Sequence, residues 1–180
     1  MARGDPVRLR ALTAVIELPE PPRLTAPSTD VRVGYLVGEQ ADVVARGTDD
    51  AWLGPASRDF AAFVAARTGV VERWGVPSTL LWFTSGPYYL GTLVLRHRLL
   101  EHGYGGHIGY HVVAPWRRQG HATAMLAQGL QHARDLGVDR ALLTVAPENE
   151  WSRRVVLANG GVPDGRNGEG EDRFWIGTAG

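Results

Sequence analysis

The stretch from residue 107 to residue 136 constrains the fold more than any other part of the chain, because an apolar strand, a basic glycine turn and a long helix follow one another closely. Residues 107–113 read as the strand and Arg117-Arg118-Gln119-Gly120-His121-Ala122 as the turn. Residues 122–136 read as a helix with Leu126, Leu130 and Ala133 at helical spacing. A helix N-terminus leaves about four backbone N–H groups unpaired and carries partial positive charge, so an anion placed there is stabilised without any side chain. Gly120 lets the backbone approach a phosphate closely, and small Ala122 keeps the next turn clear. Arg117 and Arg118 add forked, permanently charged donors, and His121 and Thr123 can add more. Taken alone, these residues fit an anion site and an exposed basic helix cap without a ligand equally well.

The chain of 180 residues, 44% hydrophobic, is one domain long and has the material for a core. Residues 1–30 carry Pro6, Pro19, Pro21, Pro22 and Pro27 and one plausible strand at 8–18, so they read as an N-terminal arm before a domain at 31–180. Residues 31–44 are apolar with mixed periodicity. After Gly54-Pro55 a helix is expected, with Ser57 as N-cap, Phe60, Phe63 and Val64 on one face, and Gly69 as its end. Residues 79–84 and 89–97 are β-rich and separated by Ser85-Gly86-Pro87-Tyr88, which predicts an antiparallel hairpin. Beyond Gly137 come a strand at 140–145, a short helix opened by Asn149-Glu150-Trp151-Ser152, a stop at Gly160-Gly161, a polar loop and a last strand at 173–176.

Composition removes several function classes. The formal net charge is zero and no block of like charges occurs, so a nucleic-acid partner is not expected. The absence of cysteine excludes disulfides, thiolate metal sites and a cysteine nucleophile, and fits the reducing cytoplasm. The apolar stretch 11–18 is interrupted by Thr13 and Glu17, which supports neither a signal peptide nor a membrane span. All 19 basic residues are Arg, and a P-loop requires Lys.

Arg117-x-x-Gly120-x-Ala122 resembles the Arg/Gln-x-x-Gly-x-Gly/Ala motif of the GCN5-related N-acetyltransferases (GNAT). It follows an apolar strand ending Val112-Val113-Ala114-Pro115 and precedes a long amphipathic helix, as in that family. Leu142-Leu143-Thr144-Val145, then Asn149, Ser152 and Gly160-Gly161, is similar to the family's next strand and its Asn-x-x-Ala/Ser turn. Arg96-His97-Arg98-Leu99 with Gly106-His107-Ile108-Gly109-Tyr110 further resembles a bacterial subfamily of predicted acetyltransferases of unassigned substrate. The resemblance covers roughly residues 79–176. It implies an α/β (α+β) fold with a mixed, mainly antiparallel central sheet flanked by helices and strands splayed at an acyl-CoA site. The implied function is transfer of an acetyl group from acetyl-CoA, the co-substrate, to a primary amine on a small molecule or peptide. By the same resemblance, His111, Val112 and Val113 would pair their backbone with the pantetheine arm, and a Val112 or Val113 N–H would meet the oxyanion. The turn from Arg117 through Arg118, Gln119, Gly120, His121, Ala122 and Thr123 would hold the pyrophosphate, and Asn149 and Ser152 the cofactor arm.

Two positions depart from the family pattern. Ala114 stands where the family has a proline, with Pro115 one residue closer to the glycine. The family's frequent general acid is a tyrosine seven residues after the asparagine, and here that position is Val156; Ser152 and Tyr110 are the substitutes. Val156 also keeps open an alternative function, an acyl-CoA-binding sensor or interaction module without turnover. An ammonium must lose a proton before it attacks, and His107 is the candidate base, with His111 and Glu101 as alternatives. A strand histidine satisfied by a backbone partner is the competing reading of His107. His107 and His111 lie roughly 13 Å apart on one strand, too far to share a metal; a mixed site using His97 and His102 is the alternative, and no metal is assigned. Trp74, Trp116 and Trp151 read as packing or rim residues, Trp116 flanking the cofactor. The acceptor pocket falls to residues 31–81, Tyr88, Tyr89 and the loop after Gly161; its ligand and a homodimer are left open.

Overall fold

The computed structural model describes residues 17–47, 51–100 and 105–178. In chain order they form β1 (Arg23–Thr25), α1 (Arg32–Arg46), α2 (Leu53–Arg58), α3 (Phe60–Ala65), β2 (Val70–Arg73), β3 (Val76–Ser85), β4 (Tyr88–Arg96), β5 (Ile108–Val112), α4 (His121–Asp135), β6 (Arg140–Val145), α5 (Glu150–Ala158), β7 (Val162–Arg166) and β8 (Asp172–Gly177). The expected hairpin is β3–β4, turning at Gly86 and Pro87, and it is the centre of a sheet ordered β1-β3-β4-β5 with β2 also on β3. A second sheet runs β6-β8-β7, and every paired strand in both is antiparallel.

Strand alternation sends Leu80 and Trp82 of β3 to one face of the first sheet, beneath α1, and Leu93 and Leu95 of β4 to the other, beneath α4. On the α1 face Tyr35 is the hub of an aromatic cluster. Its ring lies 4.9 Å from Trp82, 4.8 Å from Tyr89, 5.6 Å from Phe60 and 5.3 Å from Phe63. Such pairs add roughly 0.5–1.5 kcal/mol each beyond burial, which fixes α1 and α3 over the sheet. On the α4 face, a Cβ at Gly129 would sit 2.5 Å from Leu93 Cδ1, so the helix packs down to the sheet through the absence of a side chain.

The expected single helix after Gly54-Pro55 is two. Pro55 lies in the first turn of α2, where its missing N–H costs nothing, and Ser57 is inside that helix. Asp59 then adopts an extended backbone and caps α3, its carboxylate accepting from Ala62 N at 3.0 Å. The stretch of mixed periodicity at 31–44 is α1. The polar loop after Gly161 contains β7, an edge strand with Pro163 whose residues are all exposed and so carry no burial pattern. The arm expected at 1–30 ends in β1, which pairs with β3; the strand expected at 8–18 falls almost wholly outside the described residues.

The two sheets touch where β5 begins. His107 N donates to Leu142 O at 2.7 Å, and Leu142 N donates to His107 Nδ1 at 3.0 Å. Gly106, at φ +57, lets the backbones approach: a Cβ there would lie 2.2 Å from Leu142 O. Beyond this point no ladder joins β5 to β6 among the described residues, so the strands diverge and leave a wedge between them. His107 is the pin of that wedge. Burial and the neighbouring Arg96 lower its pKa, so the folded state holds it neutral. A histidine with a depressed folded pKa stabilises above its unfolded value and loses that contribution as pH falls through the folded value. Stability should therefore decline as pH drops below about 6.5, and His107→Phe should abolish this part of the decline in urea titrations at a series of pH values.

Candidate active site

The N-terminus of α4 opens onto the wedge. Gly120 is its N-cap at φ +84, and no side chain caps the helix, whereas α3 and α5 are capped by Asp59 and Asn149. A Cβ placed on Gly120 would meet nothing within 4 Å, so the space in front of the turn is open. His121 borders that space; its Nε2 is buried without a hydrogen-bond partner, and burial lowers its pKa. These groups line a cavity of about 650 Å³, with Tyr110, His111 and Val112 on one wall and Asn149, Trp151, Ser152 and Arg154 on the other.

The turn residues divide by what they hold. Arg118, at φ +66, lays its guanidinium 3.3 Å from the Trp151 ring centroid, and Arg154 lies 4.8 Å from the same ring. Ala122 and Thr123 also line the cavity. Gln119 is not among its lining residues; its Nε2 turns back to Pro115 O at 3.2 Å. Arg117 borders the cavity with its guanidinium engaged: Nε donates to Val112 O at 2.8 Å and Nη2 to Asp42 Oδ1. Asp42, on α1, is completely buried and also accepts from Ala114 N at 3.0 Å and Arg46 Nε at 2.6 Å. His111 Nε2 approaches its second oxygen at 3.2 Å. Asp42 thus ties α1 to the turn that follows β5, and nothing in the sequence marked it.

Backbone register sorts the β5 amides. Val113 N donates to Leu90 O at 3.0 Å and Arg96 N donates to His107 O at 2.7 Å. In an antiparallel ladder the bonded pairs then recur every second residue, so His111 and Val113 turn their amides to β4 while Tyr110 and Val112 turn theirs into the wedge. Of the two expected oxyanion donors, Val113 is therefore committed within the sheet, and its buried side chain faces Gly38 of α1. Val112 N–H faces the gap.

Across the wedge, Tyr110 Oη lies 2.7 Å from Ser152 Oγ, bringing the two expected acids together. Burial raises the Tyr110 pKa, partly offset by the Ser152 hydrogen bond, which keeps the phenol protonated at neutral pH. Asn149 Oδ1 accepts from Ser152 N at 3.0 Å as the cap of α5. Val156 is fully buried. His107 lines none of the cavities described here, and Glu101 lies outside the described residues. His111 borders two of them: the wedge, and a second cavity of about 420 Å³ on the α1 face of the sheet. Trp116 borders the wedge, its ring 6.1 Å from His121. Trp151 and Arg154 as a stacked wall were not foreseen; their three-residue spacing on α5 is the signal that carried it.

Residues 46–162 match the family model described as the acetyltransferase (GNAT) domain. The chain belongs to the GNAT family of acetyltransferases. Among solved structures, this domain is similar to the GNAT domain of S. lividans PAT, with a TM-score of 0.59 and 18% identity over 87% of this chain and 90% of that one. It is also similar to RimJ of Mycobacterium smegmatis in complex with CoA-disulfide, with a TM-score of 0.55 and 20% identity over 87% and 84% of the two chains. The microcin C7 self-immunity acetyltransferase MccE, in complex with acetyl-CoA and AMP, aligns with a TM-score of 0.56 and 14% identity over 86% and 91%. At these identities the likeness is one of fold. No curated protein matches the chain. The fold is the GNAT one that the motif resemblance implied, antiparallel sheets flanked by helices; where one mixed, mainly antiparallel sheet was expected, there are two sheets without a parallel pair among the described residues. Among the described residues no helix is long and apolar enough to cross a membrane, and no group of three or more His, Asp or Glu is placed to hold a metal.

Breaking the Asp42 hub should cost both stability and cofactor affinity. Asp42→Ala strands the Ala114 amide and frees Arg117 and Arg46, whose side chains are partly exposed, so the cost is that of an unsatisfied buried donor and a lost tie, about 1–3 kcal/mol. Urea unfolding measures the first effect and calorimetric titration with coenzyme A the second; a variant within 1 kcal/mol of the parent would contradict the role given to Asp42.

Proposed function

We propose that this GNAT domain transfers an acetyl group from acetyl-CoA to a primary amine, with acetyl-CoA in the wedge and the amine arriving from the second cavity. The observation that carries this is His111, whose side chain borders both spaces. The residues present fit the co-substrate. An uncapped helix N-terminus with an open Gly120, the partnerless Nε2 of His121 and the Arg118–Trp151–Arg154 wall suit a pyrophosphate with its nucleotide. The free edge of β5, with the Tyr110 and Val112 amides turned outward, suits an extended arm carrying amides of its own.

Acetyl-CoA supplies an acyl carbon on a leaving thiolate. The amine nitrogen forms a bond to that carbon as the carbon–sulfur bond breaks, and the ammonium proton must leave first. His111 is the residue we assign to accept it, its ring held beside Asp42. The Val112 N–H is the donor for the developing oxyanion, an interaction worth ~10²–10³ in rate. The Tyr110 hydroxyl, bridged to Ser152, supplies a proton to the departing sulfur in place of the missing tyrosine at Val156. Arg117 positions this machinery by holding Val112 O and Asp42, and His107 by pinning the wedge.

Two substitutions separate binding from chemistry. Gly120→Val forces a branched side chain onto a left-handed backbone and into the space in front of the turn. It should abolish coenzyme A binding in calorimetry while circular dichroism remains that of the parent. His111→Gln should lower kcat for thiol release by ~10² or more with coenzyme A affinity changed only a few-fold. Equal kcat in parent and variant across an amine panel would remove His111 from the proton path.

A further inference from the structure

The cavity of about 420 Å³ beneath α1 is lined by the Glu39 carboxylate and by three guanidinium groups, Arg46, Arg67 and Arg73, of which Arg46 is paired with the buried Asp42. Its floor is two cross-strand pairs of the sheet, Trp82 with Thr92 and Leu80 with Val94. Thr92 pairs in turn with His111, so this end is the one that meets the wedge. Glu39 is buried there and accepts from the Tyr89 hydroxyl at 2.6 Å. Burial, then the Glu39 charge, raises the Tyr89 pKa, which holds the phenol protonated and the carboxylate as its acceptor. An ammonium suits the Glu39 carboxylate, the charge of Arg46 at this end being met by Asp42.

The far end is cationic. Arg73 closes β2 opposite Val76, six residues and so about 20 Å along β3 from Trp82. Its side chain nevertheless lines the cavity, and its Nε is buried without a hydrogen-bond partner. Arg67 lines the same space, its guanidinium 3.5 Å from the Phe63 ring centroid and its Nη1 donating to Phe63 O at 3.2 Å. Two indoles, Trp52 and Trp74, also line the cavity, and they are 54% and 61% exposed. Trp74 and Gly75 form the two-residue turn between β2 and β3, at φ +53 and +76. Such a turn takes Asn, Asp or Gly, and a bulky aromatic residue in it is strained. Strain kept at the mouth of a cavity is evidence that the side chain is used there. Arg67 lies 4.9 Å from the Trp52 ring centroid and Arg96 4.8 Å from that of Trp74. Both rings thus already carry a guanidinium, which disfavours a ligand with a cationic body.

We propose that the acceptor is a small amine on a flat aromatic body with an anionic group, carboxylate or phosphate, at the end remote from the amine. The amine lies toward Glu39 and His111, the ring between Trp52 and Trp74, and the anion on Arg67 and Arg73. The fate of the amine rests on the acetyl-transfer reading given above; occupation of the cavity by such a ligand does not.

The test uses the full chain saturated with acetyl-CoA, or with coenzyme A for binding. Tyramine phosphate and 4-(2-aminoethyl)benzoate probe the two anions; tyramine lacks the anion, 6-aminohexanoate lacks the ring, and spermidine is a polycation. Thiol release gives kcat/KM, and quenching of tryptophan fluorescence gives binding. At least one anionic aromatic amine should exceed tyramine, 6-aminohexanoate and spermidine about 30-fold, an ionic hydrogen-bonded contact being worth that much. The larger of the two anionic responses identifies carboxylate or phosphate. Arg73→Gln should bring the ratio of the preferred amine to tyramine close to one, chiefly through KM, with coenzyme A affinity as the check on folding. Arg67→Gln serves if Arg73→Gln does not fold. Tyramine or spermidine matching the anionic amines, or no quenching by either anionic probe, overturns the proposal. Saturable quenching by an anionic probe without acetylation of any amine upholds it and overturns the acetyl-transfer reading instead.

Discussion

One carboxylate holds together the end of this molecule that carries the wedge. Asp42 is removed entirely from water, which for an unpaired charge costs several kcal/mol, and it is compensated by two guanidinium groups, a backbone amide and the edge of an imidazole. Because those partners come from α1, from the turn after β5 and from β5 itself, no one of them can move without exposing a buried charge. Arg117 extends the restraint to Val112 O, so the strand that borders the wedge is anchored on the side away from its ladder. The open space in front of Gly120 and the position of His111 both depend on this knot.

The imidazole of His111 stands at a boundary between two differently built spaces. On one side the wedge is bounded by the end of a helix and by unpaired strand amides, groups that recognise phosphate and amide through the backbone. On the other the cavity beneath α1 is bounded by aromatic rings, arginines and a buried glutamate, groups that recognise through side chains. Backbone recognition tolerates change in sequence and suits a co-substrate common to a family. Side-chain recognition can be altered one residue at a time and suits the acceptor.

What was legible in the sequence follows the range of the interaction. The turn around Gly120, the hairpin at Gly86 and the α4 face bearing Leu126, Leu130 and Ala133 are set by neighbours in the chain, and their periodicity and turn chemistry showed them. Asp42 was illegible because its partners at Ala114 and Arg117 lie more than seventy residues away; within α1 it reads as an ordinary solvated acid. The same limit applied to Arg117 and His107. Their residue types fitted a phosphate donor and a base, but only the fold reveals that one guanidinium is engaged by Asp42 and that one ring nitrogen accepts from Leu142. Ser57 was displaced as a cap by Asp59 because Pro55 starts a separate short helix, a competition between adjacent signals that composition does not rank. For β7, whose residues are all exposed, there was no burial pattern to read.

The pin at His107 and Leu142 bears on how an unpaired strand edge can exist in a stable protein. An edge of free amides on an open surface is a template for any passing chain and so a route to aggregation. Here the edge of β5 lies inside a narrowing slot that is sealed at one end by two hydrogen bonds. A strand added to this edge can pair only with the residues beyond His107, because Leu142 already occupies that end. The wedge therefore limits how much of the edge an added strand could pair with.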